Sequence, residues 1–266
     1  MEEYILEVLK QIEKDYDVKI LFACEAGSRA FGFASANSDY DIRFIYVHKL
    51  HWYLSIDEKR DVIEVSEGNE LRIPLDQILD ISGWELTKAL KLYRKSNPSL
   101  FEWLNSNIVY YQEYSTIEKM KKLQQEIFSP KSFIGYHLNI AKRNSRSLVG
   151  KNLVKLYLYV LRSVLSARWI EKYQTIPPVG FVDLSTVLPE GKVKDEIDKL
   201  CADKITGETR LFKPSEEVIF QFILEEIRHL DIYTKEITDS KRIPTEQLNK
   251  ILRETLEEVW VGYKPL

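Results

Sequence analysis

The sequence predicts an α+β fold: a small mixed sheet flanked by helices, followed by an all-helical half. Two observations carry this. Short β-type runs are confined to the stretch before residue 82, and from Thr116 onward apolar residues recur at helical spacing. The change in pattern places a boundary near residue 115, giving a first domain over 1–115 and a helical domain over 116–266. No internal repeat or low-complexity segment is visible.

Taken in order, Ile5, Leu6, Val8, Leu9 and Ile12 predict an amphipathic helix over residues 2–14. Val18 to Cys24 is a short β-type run. Residues 25–37 hold a Gly27-Ser28 turn and a loop, with one helical turn expected around Arg29 to Phe33. Asp39 to His48 is the second strand. Asp61-Val62-Ile63-Glu64-Val65 alternates polar and apolar residues and reads as a third. Leu75 to Ile81 is expected to supply the last strand of the sheet. Ser82 then reads as an N-cap, with Glu85 three residues on completing a capping box. The helix it opens runs from Gly83 to Lys95 and stops before Asn97-Pro98. A short helix follows at Pro98 to Leu104, and Ile108-Val109-Tyr110 is extended or loop-like. Helices are then expected over 116–127, 131–147, 150–173, 193–202, 215–238 and 245–260, with loops at Pro177-Pro178 and Thr206-Gly207.

A chain of 266 residues, 44% hydrophobic and 30% charged, fits a soluble globular protein with a sizeable core. No stretch has the apolar length of a membrane span. The first residues are acidic and amphipathic and lack a signal-peptide layout. Cys24 and Cys201 are too few for a disulfide framework or a zinc site, and a reducing cytoplasm is the expected compartment. The four histidines show no metal spacing. A net charge of −3 excludes a chain that is basic throughout. Charge is uneven, however. Residues 142–172 carry eight basic side chains against one acid, Glu171, a local balance of +7. That segment reads equally as a phosphate-facing surface or a solvated helix face.

The stretch that carries chemistry is Gly27-Ser28 followed by Ser38-Asp39-Tyr40-Asp41. Residues i and i+2 of a strand share a face, so Asp39 and Asp41 project side by side. Adjacent carboxylates repel, and a divalent cation removes that cost; hard oxygen ligands suit Mg²⁺. Gly27 lets a phosphate approach the backbone, Ser28 offers a hydroxyl and an amide, and Gly32 is a second place for close approach. Arg43 shares Asp41's face and either binds a phosphate oxygen or pairs with Asp41. In the helical half Lys155, Tyr159 and Arg162 stand at i, i+4 and i+7 on one helix face and suit a nucleotide. Internal salt bridges, to Glu225 or Glu226 for instance, would equally satisfy the two cations.

Gly27, Ser28, Gly32, Ser38, Asp39 and Asp41 resemble the signature of the DNA polymerase β-type nucleotidyltransferase superfamily. Gly83-Trp84-Glu85-Leu86, Lys88-Ala89-Leu90, Ser96-Asn97-Pro98 and Glu102-Trp103-Leu104 narrow the resemblance. They are similar to the YcgL-type family of predicted nucleotidyltransferases, also called RNA-repair-associated or RNA-ligase-associated. The likeness continues through Arg162, Arg168-Trp169-Ile170 and Pro177-Pro178. It implies a polymerase-β-like catalytic domain and two-metal nucleotidyl transfer with Mg²⁺ or Mn²⁺, from a nucleoside triphosphate such as ATP to an acceptor hydroxyl. It further implies that the acceptor is an RNA 3′ end. The two-metal scheme wants a third carboxylate on a neighbouring strand. Asp80 is the choice, with Asp61 and Glu64 as competitors because strand register is not readable here. Transfer to a protein hydroxyl, a nucleotide- or RNA-binding module without turnover, and a two-metal hydrolase remain alternative functions.

Overall fold

The computed structural model describes residues 1–65, 71–148, 154–207, 215–238 and 245–261. Along the chain run α1 (Glu2–Tyr16), β1 (Val18–Glu25), α2 (Gly27–Ala30), β2 (Tyr40–His48), α3 (Leu50–Tyr53) and β3 (Val62–Val65). Next come β4 (Leu79–Glu85), α4 (Leu86–Arg94), α5 (Pro98–Leu104), β5 (Val109–Gln112) and α6 (Thr116–Ile127). Helices α7 (Pro130–Ser145), α8 (Val154–Tyr173), α9 (Phe181–Ser185), α10 (Lys192–Thr206), α11 (Ser215–Glu236) and α12 (Thr245–Trp260) complete the described elements. After β5 the described residues form helices only, so the fold is α+β with a helical C-terminal region.

The chain divides into two compact units. The first comprises Met1–Ala30, Asp39–Ile127 and Lys241–Leu266; the second comprises Phe31–Ser38 and Phe128–Ser240. These limits differ from a single cut at residue 115. Helix α6 stays with the sheet, α12 returns to it, and the short segment Phe31–Ser38 joins the helices.

In the first unit five strands lie in the order β3-β4-β2-β1-β5. Strands β2 and β4 are parallel and the other neighbours antiparallel, so the sheet is mixed. Strand β1 is paired on both sides, and seven of its eight residues are buried, which is why it reads as an unbroken apolar run rather than an alternating one. Helix α1 lays Ile5, Val8, Leu9 and Ile12 into the same core as Ile20, Ile42, Phe44 and Ile81. It ends at Asp17, whose left-handed backbone lets its N–H reach the Glu13 carbonyl. Helix α5 starts as the sequence suggests, with Pro98 in its first turn and the Asn97 side chain accepting from the Leu100 N–H at 3.1 Å.

Two local expectations are corrected. Gly83 does not open a helix. It lies inside β4, opposite Phe44 of β2, and a Cβ there would stand 2.2 Å from the Phe44 ring. Pairing with β2 and β3 on both sides carries β4 through Trp84 and Glu85 despite the local capping pattern. Glu85 is itself the N-cap of α4: its carboxylate accepts from the Thr87 N–H at 2.6 Å. The last strand in chain order is β5, which includes the extended Val109-Tyr110; it pairs with β1 at the sheet edge. Helices α3 and α9 have no counterpart in the sequence reading.

In the second unit α8 is the central helix, packed against α7, α9, α10 and α11. It is buried from Val160 through Ala167, including Arg162, as befits a helix that is apolar nearly all round. The expected start of this helix near residue 150 lies outside the described residues.

Candidate active site

The parallel register of β2 and β4 sets Asp41 directly opposite Asp80. Arg43, two residues after Asp41, lies on the same face and binds both. Its Nη2 is 3.3 Å from Asp41 Oδ1 and 2.8 Å from Asp80 Oδ2. Its Nη1 donates to the Asp80 and Ile42 carbonyls at 2.9 and 3.0 Å. The two carboxylates therefore already hold one cation in common. Hard carboxylate oxygens are of the kind that suits a divalent ion, and here the Arg43 guanidinium bonds to both. The donor set fits a metal in this sense, although no group of three or more His, Cys, Asp or Glu side chains forms a metal cluster among the described residues.

Asp39 is exposed and immediately precedes β2. Its carbonyl accepts from Arg29 Nε at 3.1 Å, and the Arg29 guanidinium lies 3.7 Å above the Tyr40 ring. The competing acids have cationic partners of their own. Asp61 pairs with Lys88 at 2.8 Å, and Glu64, opposite Ser82 on β3, pairs with Arg60 at 2.8 Å.

Gly27 serves Asp41. Its φ is +58°, and a Cβ at this position would lie 1.9 Å from Asp41 Oδ2. Only a residue without a side chain lets that carboxylate lie against the backbone. Gly32 is different: its φ is +82° and nothing among the described residues lies within 4 Å of the Cβ position, so it serves the turn rather than a close approach. Ser28, on the single turn of α2, is buried at 4% exposure.

Beneath Asp41 lies a residue the sequence reading passed over. Glu25, at the end of β1, is fully buried. Its Oε1 accepts from the Asp41 N–H at 2.7 Å, and its Oε2 accepts from the Tyr110 hydroxyl. Burial raises its pKa; the bonds from Tyr110 and the Asp41 N–H oppose that rise, and the Asp41 charge adds to it. A single Glu ending an apolar strand has no spacing signature, so nothing in the sequence singles it out.

The remaining candidates belong to the second unit. On α8, Lys155 is exposed, Tyr159 is half-buried and Arg162 is 6% exposed. The Arg162 guanidinium lies 3.7 Å over the Phe31 ring, and Tyr159 meets Phe31 and Phe33 edge-on. Of the two acids considered as salt-bridge partners, Glu226 is taken by Arg168. Lys204 of α10, unremarkable in the sequence, reaches Ser35 Oγ at 3.2 Å; burial and then the charge of Lys155 lower its pKa. Within this unit the segment after Gly27-Ser28 is thus lined by aromatic and cationic side chains. His137 of α7 is fully buried, and burial together with Arg162 lowers its pKa to about 3. The basic stretch 142–172 is partly neutralised internally, by Lys142–Asp231 and Arg168–Glu226, while Lys151 lies outside the described residues.

Residues 1–254 match a family model described as the RNA repair pathway DNA polymerase beta family. The chain is 45% identical over 263 residues to the uncharacterised protein YcgL of Bacillus subtilis (strain 168), covering 98% of each. Among solved structures, a nucleotidyltransferase-like protein from Exiguobacterium sibiricum 255-15 aligns with 95% of this chain and 79% of its own. That alignment has 12% sequence identity and a TM-score of 0.33. No helix among the described residues is long and apolar enough to cross a membrane.

Proposed function

The chain belongs to the RNA repair pathway DNA polymerase beta family, and from that premise we propose that it is a metal-dependent nucleotidyltransferase acting on an RNA 3′ end. The observation that carries the reading is the register that sets Asp41 opposite Asp80 around one shared cation position, next to Gly27. Asp39, Asp41 and Asp80 are the proposed holders of Mg²⁺ or Mn²⁺. Such an ion would neutralise the triphosphate and acidify the attacking hydroxyl. Asp80, whose side chain is 59% exposed, is the proposed acceptor of that hydroxyl's proton. The acceptor oxygen bonds to the α-phosphorus as the α–β bridging bond breaks, and pyrophosphate leaves with that electron pair. Arg43, released from the carboxylates, is the proposed cation for the triphosphate. Gly27 and Ser28 are the proposed phosphate contacts through their main-chain N–H groups; Lys155, Tyr159 and Arg162 are proposed for nucleotide binding within the helical unit taken by itself. Catalysis of this kind is mainly positioning and charge neutralisation.

The test is transfer from α-³²P-labelled ATP, CTP, GTP and UTP, with Mg²⁺ or Mn²⁺, into total cellular RNA and protein. Label in RNA that is absent with γ-labelled donors supports the reading and names the donor. Label in protein moves the acceptor to a polypeptide hydroxyl, and free monophosphate without labelled acceptor favours hydrolysis. A second reading, a nucleotide- or RNA-binding module without turnover, draws on Arg43. The two carboxylates already share it as a counter-ion, and nucleotide binding with no transfer to any acceptor would favour that reading.

A further inference from the structure

The β1–β2 ladder ends at the pair Glu25 and Ile42. The next residue outward on β2 is Asp41, whose N–H points past the end of the ladder. The Glu25 side chain takes that N–H at 2.7 Å, and the Asp41 carbonyl accepts from the Ala26 N–H at 2.8 Å. Both main-chain groups of Asp41 are therefore fixed by Glu25 and Ala26, where β1 ends. On the far side Tyr110 of β5 donates its hydroxyl to Glu25 Oε2, so both carboxylate oxygens of Glu25 are used. A fully buried carboxylate is a costly residue where Val or Ile would extend an apolar strand. Here the cost falls at the place where the group touches a proposed metal ligand. Gly27 completes the seat, since the Asp41 carboxylate lies against its bare Cα.

We propose that Glu25, braced by Tyr110, is a positioning residue that fixes the main chain of Asp41 and thereby the place of its metal-binding carboxylate. This rests on the metal reading above and deepens it. Groups that orient a metal ligand are typically worth 10–100-fold in affinity. The readout is Mn²⁺ binding by the full-length protein, followed by electron paramagnetic resonance of the free ion, with thermal unfolding as a check on folding. Glu25→Ala is expected to weaken Mn²⁺ binding roughly 10–100-fold. Glu25→Gln retains an acceptor oxygen for the Asp41 N–H and is expected to recover most of the affinity. Tyr110→Phe is expected to lose less, in the same direction.

The control is Glu85→Gln. Glu85 is equally buried and hydrogen-bonded, to Tyr53 and Thr87, but caps a helix instead of holding Asp41. It is expected to lower stability without moving Mn²⁺ affinity. Asp41→Asn marks the site and is expected to abolish binding there. If Asp41→Asn abolishes binding while Glu25→Ala and Tyr110→Phe bind as wild type, Glu25 is structural and the inference is overturned while the metal reading stands. If Asp41→Asn binds Mn²⁺ as tightly as wild type, the metal reading fails and the inference falls with it. If Glu25→Ala does not fold, Glu25→Gln and Tyr110→Phe decide: a loss of affinity in folded Tyr110→Phe supports the inference, and unchanged affinity overturns it.

Discussion

Replacing Gly27 by alanine places a methyl group 1.9 Å from Asp41 Oδ2 and 2.7 Å from its Cγ. Real Cβ atoms essentially never approach another atom closer than 3.0 Å, so the carboxylate must retreat by about 1.1 Å. A displacement of about 1 Å at a reacting centre costs on the order of 100-fold in rate, or roughly 2.7 kcal/mol of barrier. The backbone adds a separate penalty, because a side chain at φ +58° is strained by about 1–2 kcal/mol of stability. Gly32→Ala separates the two effects. Its φ of +82° carries a similar backbone penalty, but no atom of the described residues lies within 4 Å of the new methyl. Nucleotidyl transfer under Mg²⁺, paired with urea unfolding, reads both quantities. The expectation is that both variants lose about 1–2 kcal/mol of stability and that only Gly27→Ala loses about 100-fold in activity. Gly27→Ala within threefold of wild type, or an equal activity loss in Gly32→Ala, would refute the reasoning.

Three further outcomes follow from the geometry. Gly83→Ala drives a Cβ to 2.2 Å from the Phe44 ring inside the sheet, and urea unfolding should show a loss of about 1–3 kcal/mol or more. Burial holds His137 neutral with a folded-state pKa of about 3. The unfolded chain therefore takes up a proton below about pH 6.5 that the folded chain refuses. Stability from this group is complete above that value and is lost toward pH 3 at about 1.4 kcal/mol per unit. Neither His137 ring nitrogen has a hydrogen-bond partner among the described residues, so His137→Leu should fold and show a flatter profile of stability against pH between 6.5 and 5. Arg43→Gln removes the cation shared by Asp41 and Asp80. The metal-free protein should lose about 1 kcal/mol, the pair being partly exposed, and calorimetry should show Mg²⁺ raising its melting temperature more than that of wild type.

Much of this architecture is legible in local sequence. Helix α5 announces itself through Asn97-Pro98, and α6 through its apolar period, because caps and periodicity are short-range properties. What local pattern misses depends on partners distant in the chain. Gly83 looks like a helix start until Phe44 is seen packed on it across the sheet. Residues 109–112 become a strand only because the edge of β1 is there to pair with them. The Asp39-x-Asp41 spacing is visible at once. That Asp80 rather than Asp61 or Glu64 stands opposite Asp41 is a matter of register, which a single strand does not encode. Glu25 and Lys204 belong to no motif; only their hydrogen bonds to Asp41 and Ser35 draw attention to them.

The central claim is that carboxylates on two neighbouring strands act together in nucleotidyl transfer. The most direct measurement is pyrophosphate release coupled to RNA labelling for Asp41→Asn, Asp80→Asn and Asp61→Asn under saturating Mg²⁺. The account predicts loss of both signals in Asp41→Asn and Asp80→Asn, and near wild-type transfer in Asp61→Asn. Full transfer by Asp80→Asn, or its loss in a well-folded Asp61→Asn, would contradict it.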